Sequence, residues 1–299
     1  MATSFSDLQI DRVVPVNEFI DSIKNPIKKE MIAYLIEWST SIYPLIRNAT
    51  LNLPSEPPIL RVSNELEPQA QCMEGLIEIS SGLINYCLGI QFLDVESVLN
   101  IQANVGPMFF PASTLTWFYS HECFHIGRQH NLLLDHVEAD PNTLRAIERD
   151  ADLCAVAVLY RAYQAHFQNR LTDDELRKLV LYAVFWALRT LTDKPQLTHS
   201  RPDDRIIYAT MKLAIVTESQ STSHVDVGMA WPETRARANS LFETLAAIDK
   251  SFRAANPDIV SDFSLRARLE EKANGVGDQS TEFWDAIRIK HSVLTGQRS

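Results

Sequence analysis

The sequence predicts a mostly helical α+β protein, with a small antiparallel β element placed ahead of a long run of helices. Three observations carry this prediction. From Pro111 to about residue 254, apolar residues recur mostly three and four apart, with well-marked helix starts. Between residues 58 and 80, two short segments, ILRVS and LIEIS, have strand composition. With 299 residues, 45% apolar content and only 9 glycines, the chain can bury a large core, as one helical domain or one domain with appendages.

Taken in order, Ile32, Leu35, Ile36, Ile42, Leu45 and Ile46 fall into two groups at helical spacing, which predicts one or two helices over 15–50. Prolines at 54, 57 and 58 break that pattern and lead into the strand ILRVS. After the polar spacer NELEPQAQ, Ile77 and Ile79 alternate with Glu78 and Ser80 as a second strand, and a helix begins near Ser81. The expectation is an antiparallel pair capped by that helix.

Further helices are expected at 112–130, 141–168, 173–191, 202–218 and 232–254, with two shorter C-terminal pieces. Asp140 before Pro141 is a cap and first-turn pair, and Thr172 with Glu175 forms a capping box. The apolar run Leu179–Leu188 is closed by Arg189, well short of the roughly 20 residues a bilayer demands, and reads as a core helix. GVGDQS at 275–280 is a flexible joint before a terminal helix. The resulting division is an N-terminal helical region 1–57, a core 58–220 and a C-terminal helical region 221–299, packed together as one unit.

A formal net charge of -10, with no run of five Lys or Arg, argues against nucleic acid and anionic membrane as partners. The four cysteines lack CxxC spacing, and the first residues carry acids and no apolar signal core. Those features predict a reduced, cytoplasmic, unprocessed protein.

Residues 121–125 read HECFH, in a segment without Pro or Gly until Gly127. On a helix, His121 and His125 share one face and can hold one Zn²⁺, while Glu122 sits beside the open coordination position as a proton acceptor. By composition alone such a pattern arises in roughly one chain of this length in a hundred, so a second feature is needed. It comes about 25 residues on, in AIERDADLCAVAVLYRAY, where Glu148 and Asp152 share a helix face ahead of an apolar stripe. Glu148 completes a His₂Glu site, and Asp152 can accept the second ring N–H of a ligand histidine. The bland reading of these two acids is a solvated first helical turn.

A three-histidine site would need Gly at 128 and His at 131, where the chain has Arg128 and Asn131. His130 is one residue out of register and reads as a surface or supporting group; His136 and Glu138 are weaker ligand candidates in the connecting loop. Cys123 points away from the histidine face. In THSRPDDRIIYA, His199 and Arg205 could stabilise a developing oxyanion; locally, His199 is just as well a helix-start neighbour and Arg205 an ion-pair partner of Asp203 or Asp204.

Together SHECFH, ERDADLCAVAVLY and THSRPDDRI, with the preceding GLIEISSGLINYC, resemble the gluzincin zinc metallopeptidases, most closely the Lit-type peptidases of phage exclusion. The likeness spans roughly residues 74–215. It implies a zincin-like helical domain, Glu148 as third ligand, Asp152 behind a ligand histidine, and His199 with Arg205 near the reacting carbonyl. It further implies that Leu76–Ser80 could pair with an extended substrate, and it suggests a protein substrate, with a translation factor such as elongation factor Tu as a candidate. Two departures stand out: His199 is followed by Ser200 where the wider group has Pro, and Phe124 stands where Gly is frequent.

The expectation is therefore a zinc endopeptidase with Glu122 as general base, acting in phage or stress defence. A metal-stabilised binding or sensor module is the alternative of another class, and a plain helical interaction protein is a third.

Overall fold

The fold is described from a computed structural model, over residues 13–50, 52–73, 75–137, 140–191, 199–216 and 231–257. It is mostly helical with one small sheet, in agreement with the predicted class. The short strand β1 (Val13–Pro15) runs into three helices, α1 (Val16–Ser22), α2 (Pro26–Ser41) and α3 (Tyr43–Ala49). The sequence had suggested one or two. Prolines divide them: Pro26 occupies the first turn of α2 behind the Asn25 cap, which accepts from the Lys28 amide at 3.0 Å, and Pro44 opens α3.

The strands β2 (Ile59–Ser63), β3 (Ala70–Met73) and β4 (Leu76–Ser80) complete a four-stranded sheet of order β1-β2-β4-β3. β3 and β4 form an antiparallel hairpin that turns through Gly75 at φ +68°, whereas β2 and β4 run parallel. The expected antiparallel pairing of ILRVS with LIEIS is thus corrected to a mixed sheet. The cause is β3, which lies across what reads as a polar spacer: a strand that reverses the chain between β2 and β4 leaves those two pointing the same way, joined by the dozen or so residues a parallel crossover needs.

β4 is consequently an interior strand, hydrogen-bonded on both sides, and cannot be the one that pairs with a substrate backbone. The edge on that side of the sheet is β3, which packs against the central helix described next.

The helices continue with α4 (Ser81–Gly89), α5 (Val95–Leu99), α6 (Phe109–Gly127), α7 (His130–Leu134), α8 (Pro141–Phe167), α9 (Asp173–Arg189), α10 (Pro202–Ile215) and α11 (Trp231–Ala255). Ser80 caps α4 by accepting from the Leu83 amide at 2.9 Å, and Gly82 in its first turn lies against the Leu66 backbone. The caps predicted from sequence are present: Asp140 accepts from the amides of Asn142 and Thr143, and Thr172 and Glu175 exchange both bonds of a capping box. Instead of one helix over 112–130, the chain has α6, a break at Arg128 and Gln129, and the separate α7. The joint GVGDQS and the C-terminal pieces lie outside the described residues.

α6 is buried along almost its whole length because it divides two apolar cores. One core lies among α5, α8, α9, α10 and α11, around Tyr160, Tyr163, Trp186 and Phe252. The other lies among α2, α3, α4 and the sheet, around Ile46, Val62, Ile77 and Phe124. The run Leu179–Leu188 is fully inside the first core, as its length implied. Among the described residues no helix is long and apolar enough to cross a membrane.

Candidate metal centre

Four-residue spacing on α6 puts His121 and His125 one above the other, and α8, the helix with the most extensive packing on α6, brings Glu148 opposite them. His121 Nε2 stands 3.0 Å from His125 Nε2 and 3.0 Å from Glu148 Oε2, and His125 Nε2 is 3.4 Å from the same oxygen. Ligand atoms bound at 2.0–2.1 Å around a tetrahedral zinc lie roughly 3.3 Å apart. The separations of 3.0, 3.0 and 3.4 Å are close to the edge lengths of such a tetrahedron and are also hydrogen-bond distances.

The chemistry of these atoms makes the same point. Two imidazole nitrogens and a carboxylate oxygen, all lone-pair bearers, face one another in a site where His121 is only 5% exposed. They repel unless positive charge lies among them, from protons or from a metal cation. Burial would pull the His121 pKa down, but the hydrogen bonds and charges of Asp152 and Glu148 outweigh it and push it up to about 10. Burial disfavours the charged form of Glu148 too, yet the histidines hold its carboxyl well below the usual range. Without a metal, protons supply the charge that the acids demand; a bound divalent cation would take their place.

Behind the three converging groups, Asp152 Oδ1 lies 2.9 Å from His121 Nδ1, the supporting contact that the sequence pattern suggested. Arg205, the residue offered as a carbonyl neighbour, is placed behind Asp152: its Nε and Nη2 donate to the two carboxylate oxygens at 2.7 and 2.8 Å, and its guanidinium covers the Trp117 ring. Burial would raise the Asp152 pKa, and the Arg205 charge and bonds hold it far below instead. His199 Nε2 is 2.8 Å from Glu148 Oε2, with its ring stacked 6.0 Å from that of His121. His121, Glu148 and His199 each offer an atom within 4.8 Å of the others, a group of the described residues that could hold a cation and that takes in His199 in place of His125.

Glu122 is buried next to these groups, and the Cys72 thiol of β3 is hydrogen-bonded to its carboxylate. Burial first, then the neighbouring Glu122 carboxylate, pushes the Cys72 pKa up, so the thiol stays protonated and donates. Cys123 is buried and hydrogen-bonded with Tyr119. His136 is exposed beyond α7, and Glu138 lies outside the described residues.

Sequence reasoning missed two residues of this neighbourhood, Cys72 and Asp150, and only half placed a third, His130. His130 is fully buried, with Nδ1 2.9 Å from His125 Nδ1, and Asp150 Oδ2 lies 3.3 Å from its other ring nitrogen. Burial lowers the His130 pKa to about 3, which keeps that ring neutral. Its proximity to HECFH was a signal; the register of a single unbroken helix concealed it.

The spacing of the converging atoms suits zinc, and an imidazole-rich set also accommodates copper, iron or nickel. No family model, curated protein or solved structure matches this chain.

Proposed function

We propose that this chain is a zinc-dependent endopeptidase that hydrolyses peptide bonds in a protein substrate. The observation that carries the reading is the convergence of His121, His125 and Glu148 at 3.0–3.4 Å with Glu122 adjacent on the same helix. Zinc held by those three residues supplies Lewis acidity toward a water molecule and a substrate carbonyl.

The remaining chemistry belongs to the chain. Glu122 accepts the proton of the attacking water on a carboxylate oxygen and returns it to the departing amine. Asp152, kept ionised by Arg205, takes the Nδ1–H of His121 and so leaves Nε2 with its lone pair in the site. The β3 edge, beside Glu122 through Cys72, is the strand this reading assigns to pairing with an extended peptide. The resemblance to Lit-type peptidases supports a single protein target in phage or stress defence, with a translation factor as the first candidate.

One observation favours a second reading. His199 Nε2 lies 2.8 Å from the same Glu148 oxygen, so His199 with His121 and Glu148 can hold a cation in a structural site, in a binding or sensor module. Peptide-library cleavage read by mass spectrometry separates the two. Zinc-loaded wild type should cut, and Glu122→Gln at equal zinc content should lose at least about 100-fold in rate. Cleavage unaffected by Glu122→Gln, or a fully zinc-loaded wild type that cuts nothing, would reject the peptidase reading.

A further inference from the structure

We propose that His130 and Asp150 form a positioning pair that fixes the proton of His125 on Nδ1 and so delivers its Nε2 lone pair to the cation site. The inference rests on the metal-site reading and extends it to how the second imidazole is prepared for binding.

The chain reaches this arrangement through a local break. α6 ends at Gly127, Gln129 takes a left-handed conformation at φ 54°, and α7 restarts at His130. The restart brings the His130 ring back against that of His125, with centroids 4.8 Å apart and planes at 78°. A helix continued through 130 would carry the side chain out of register.

Between two Nδ1 atoms 2.9 Å apart, one ring must donate and the other accept. The far nitrogens decide which. His130 Nε2 lies 3.3 Å from Asp150 Oδ2, an ion-pair contact that falls outside hydrogen-bond geometry, so the carboxylate acts on that nitrogen through its negative charge. That charge draws the His130 proton to Nε2, which leaves the lone pair on Nδ1 and makes His125 the Nδ1–H donor between the two rings. His125 Nε2 is then left unprotonated, facing His121 Nε2 and Glu148 Oε2.

Arg128 secures the far end of this chain: its Nε lies 3.2 Å from Asp150 Oδ2, and it donates to Cys154 Sγ at 3.3 Å. His121 has a matching support in Asp152 and Arg205. Each histidine thus has an aspartate–arginine pair behind it. His121 meets its aspartate directly, and His125 meets Asp150 through the interposed ring of His130. Such supporting partners set ligand orientation and basicity, and their loss costs about 10- to 100-fold in metal affinity.

The test uses the full chain labelled with ¹⁵N-histidine and titrated with zinc. Long-range proton–nitrogen spectra should place the His130 proton on Nε2 and the His125 proton on Nδ1. Chelator competition should show Asp150→Asn and His130→Leu binding zinc about 10- to 100-fold more weakly. His130→Asn keeps an acceptor oxygen at the Nδ1 position and should retain most of the affinity. A zinc-binding wild type whose His130 proton sits on Nδ1 overturns the proposal and leaves the metal site standing, as does unchanged affinity in folded Asp150→Asn and His130→Leu. A wild type that takes up no zinc removes both readings. Because the tautomer is read on the wild type, a variant that fails to fold does not shelter the idea.

Discussion

Asp152 stands at the junction of stability and metal binding, and removing it separates the two. In the folded protein its carboxylate is buried, accepting from Arg205 at 2.7 and 2.8 Å and lying 2.9 Å from His121 Nδ1. Asp152→Ala leaves the Arg205 guanidinium without its counter-ion against the Trp117 ring, in a position only 10% exposed. A buried charge stripped of its partner costs about 3–5 kcal/mol. At about 2 °C per kcal/mol for a chain of this size, the melting temperature should fall by roughly 6–10 °C. The measurement is thermal unfolding in the presence of a chelator, so that bound metal does not contribute. The double variant Asp152→Ala/Arg205→Met removes both charges and should regain most of that stability. Its zinc affinity should stay about 10- to 100-fold down, because His121 still lacks an acceptor for its Nδ1–H. A loss below about 1 kcal/mol in the single variant would refute the buried-pair account. Recovery of zinc affinity in the double variant would refute the role given to Asp152.

Away from the site, Gly82→Ala should destabilise by about 1–3 kcal/mol in urea, because a β-carbon there would stand 2.2 Å from the Leu66 carbonyl oxygen and 2.4 Å from its carbon. Gly89→Ala, at the other end of α4 with nothing within 4 Å, should be neutral or stabilising by up to about 1 kcal/mol, and equal effects at the two positions would contradict this packing. Asp173 accepts from Arg177 at 2.8 and 3.1 Å and from the Tyr160 hydroxyl; burial alone would raise its pKa, and those bonds hold it below the usual carboxylate value. A depressed folded pKa means its stabilisation is complete above the unfolded value of about 3.9 and is lost as pH falls through the folded one. Wild type should lose stability below about pH 4 more steeply than Asp173→Asn, and parallel profiles would rule that contribution out.

How much could be read from the chain follows from how local each signal is. HECFH, Glu148 with Asp152, and the Asp140 and Thr172 caps are set by spacing within one helix or one turn, and each is where its spacing implied. β3 was not legible, because AQCM between NELEPQ and Gly75 carries no β-branched residue; its strand character comes from pairing with β4, which is a tertiary effect. That one strand also decided the direction of β2 against β4. Asp150 and His130 belong to the site through a break after Gly127, a residue whose β-carbon would strike Thr50 and Leu53. The tight approach of α3 and the following loop at that point is invisible in a helical pattern. Arg205 was visible as a charged residue near His199, but its partner sits 53 positions away on another helix.

The central claim is that His121, His125 and Glu148 together hold one divalent metal ion. Elemental analysis of the purified protein after dialysis without chelator, wild type beside Glu148→Ala, tests it most directly. The account predicts about one zinc per wild-type chain and its loss or marked weakening in the variant. A wild type that contains no zinc and takes up none on addition would contradict it.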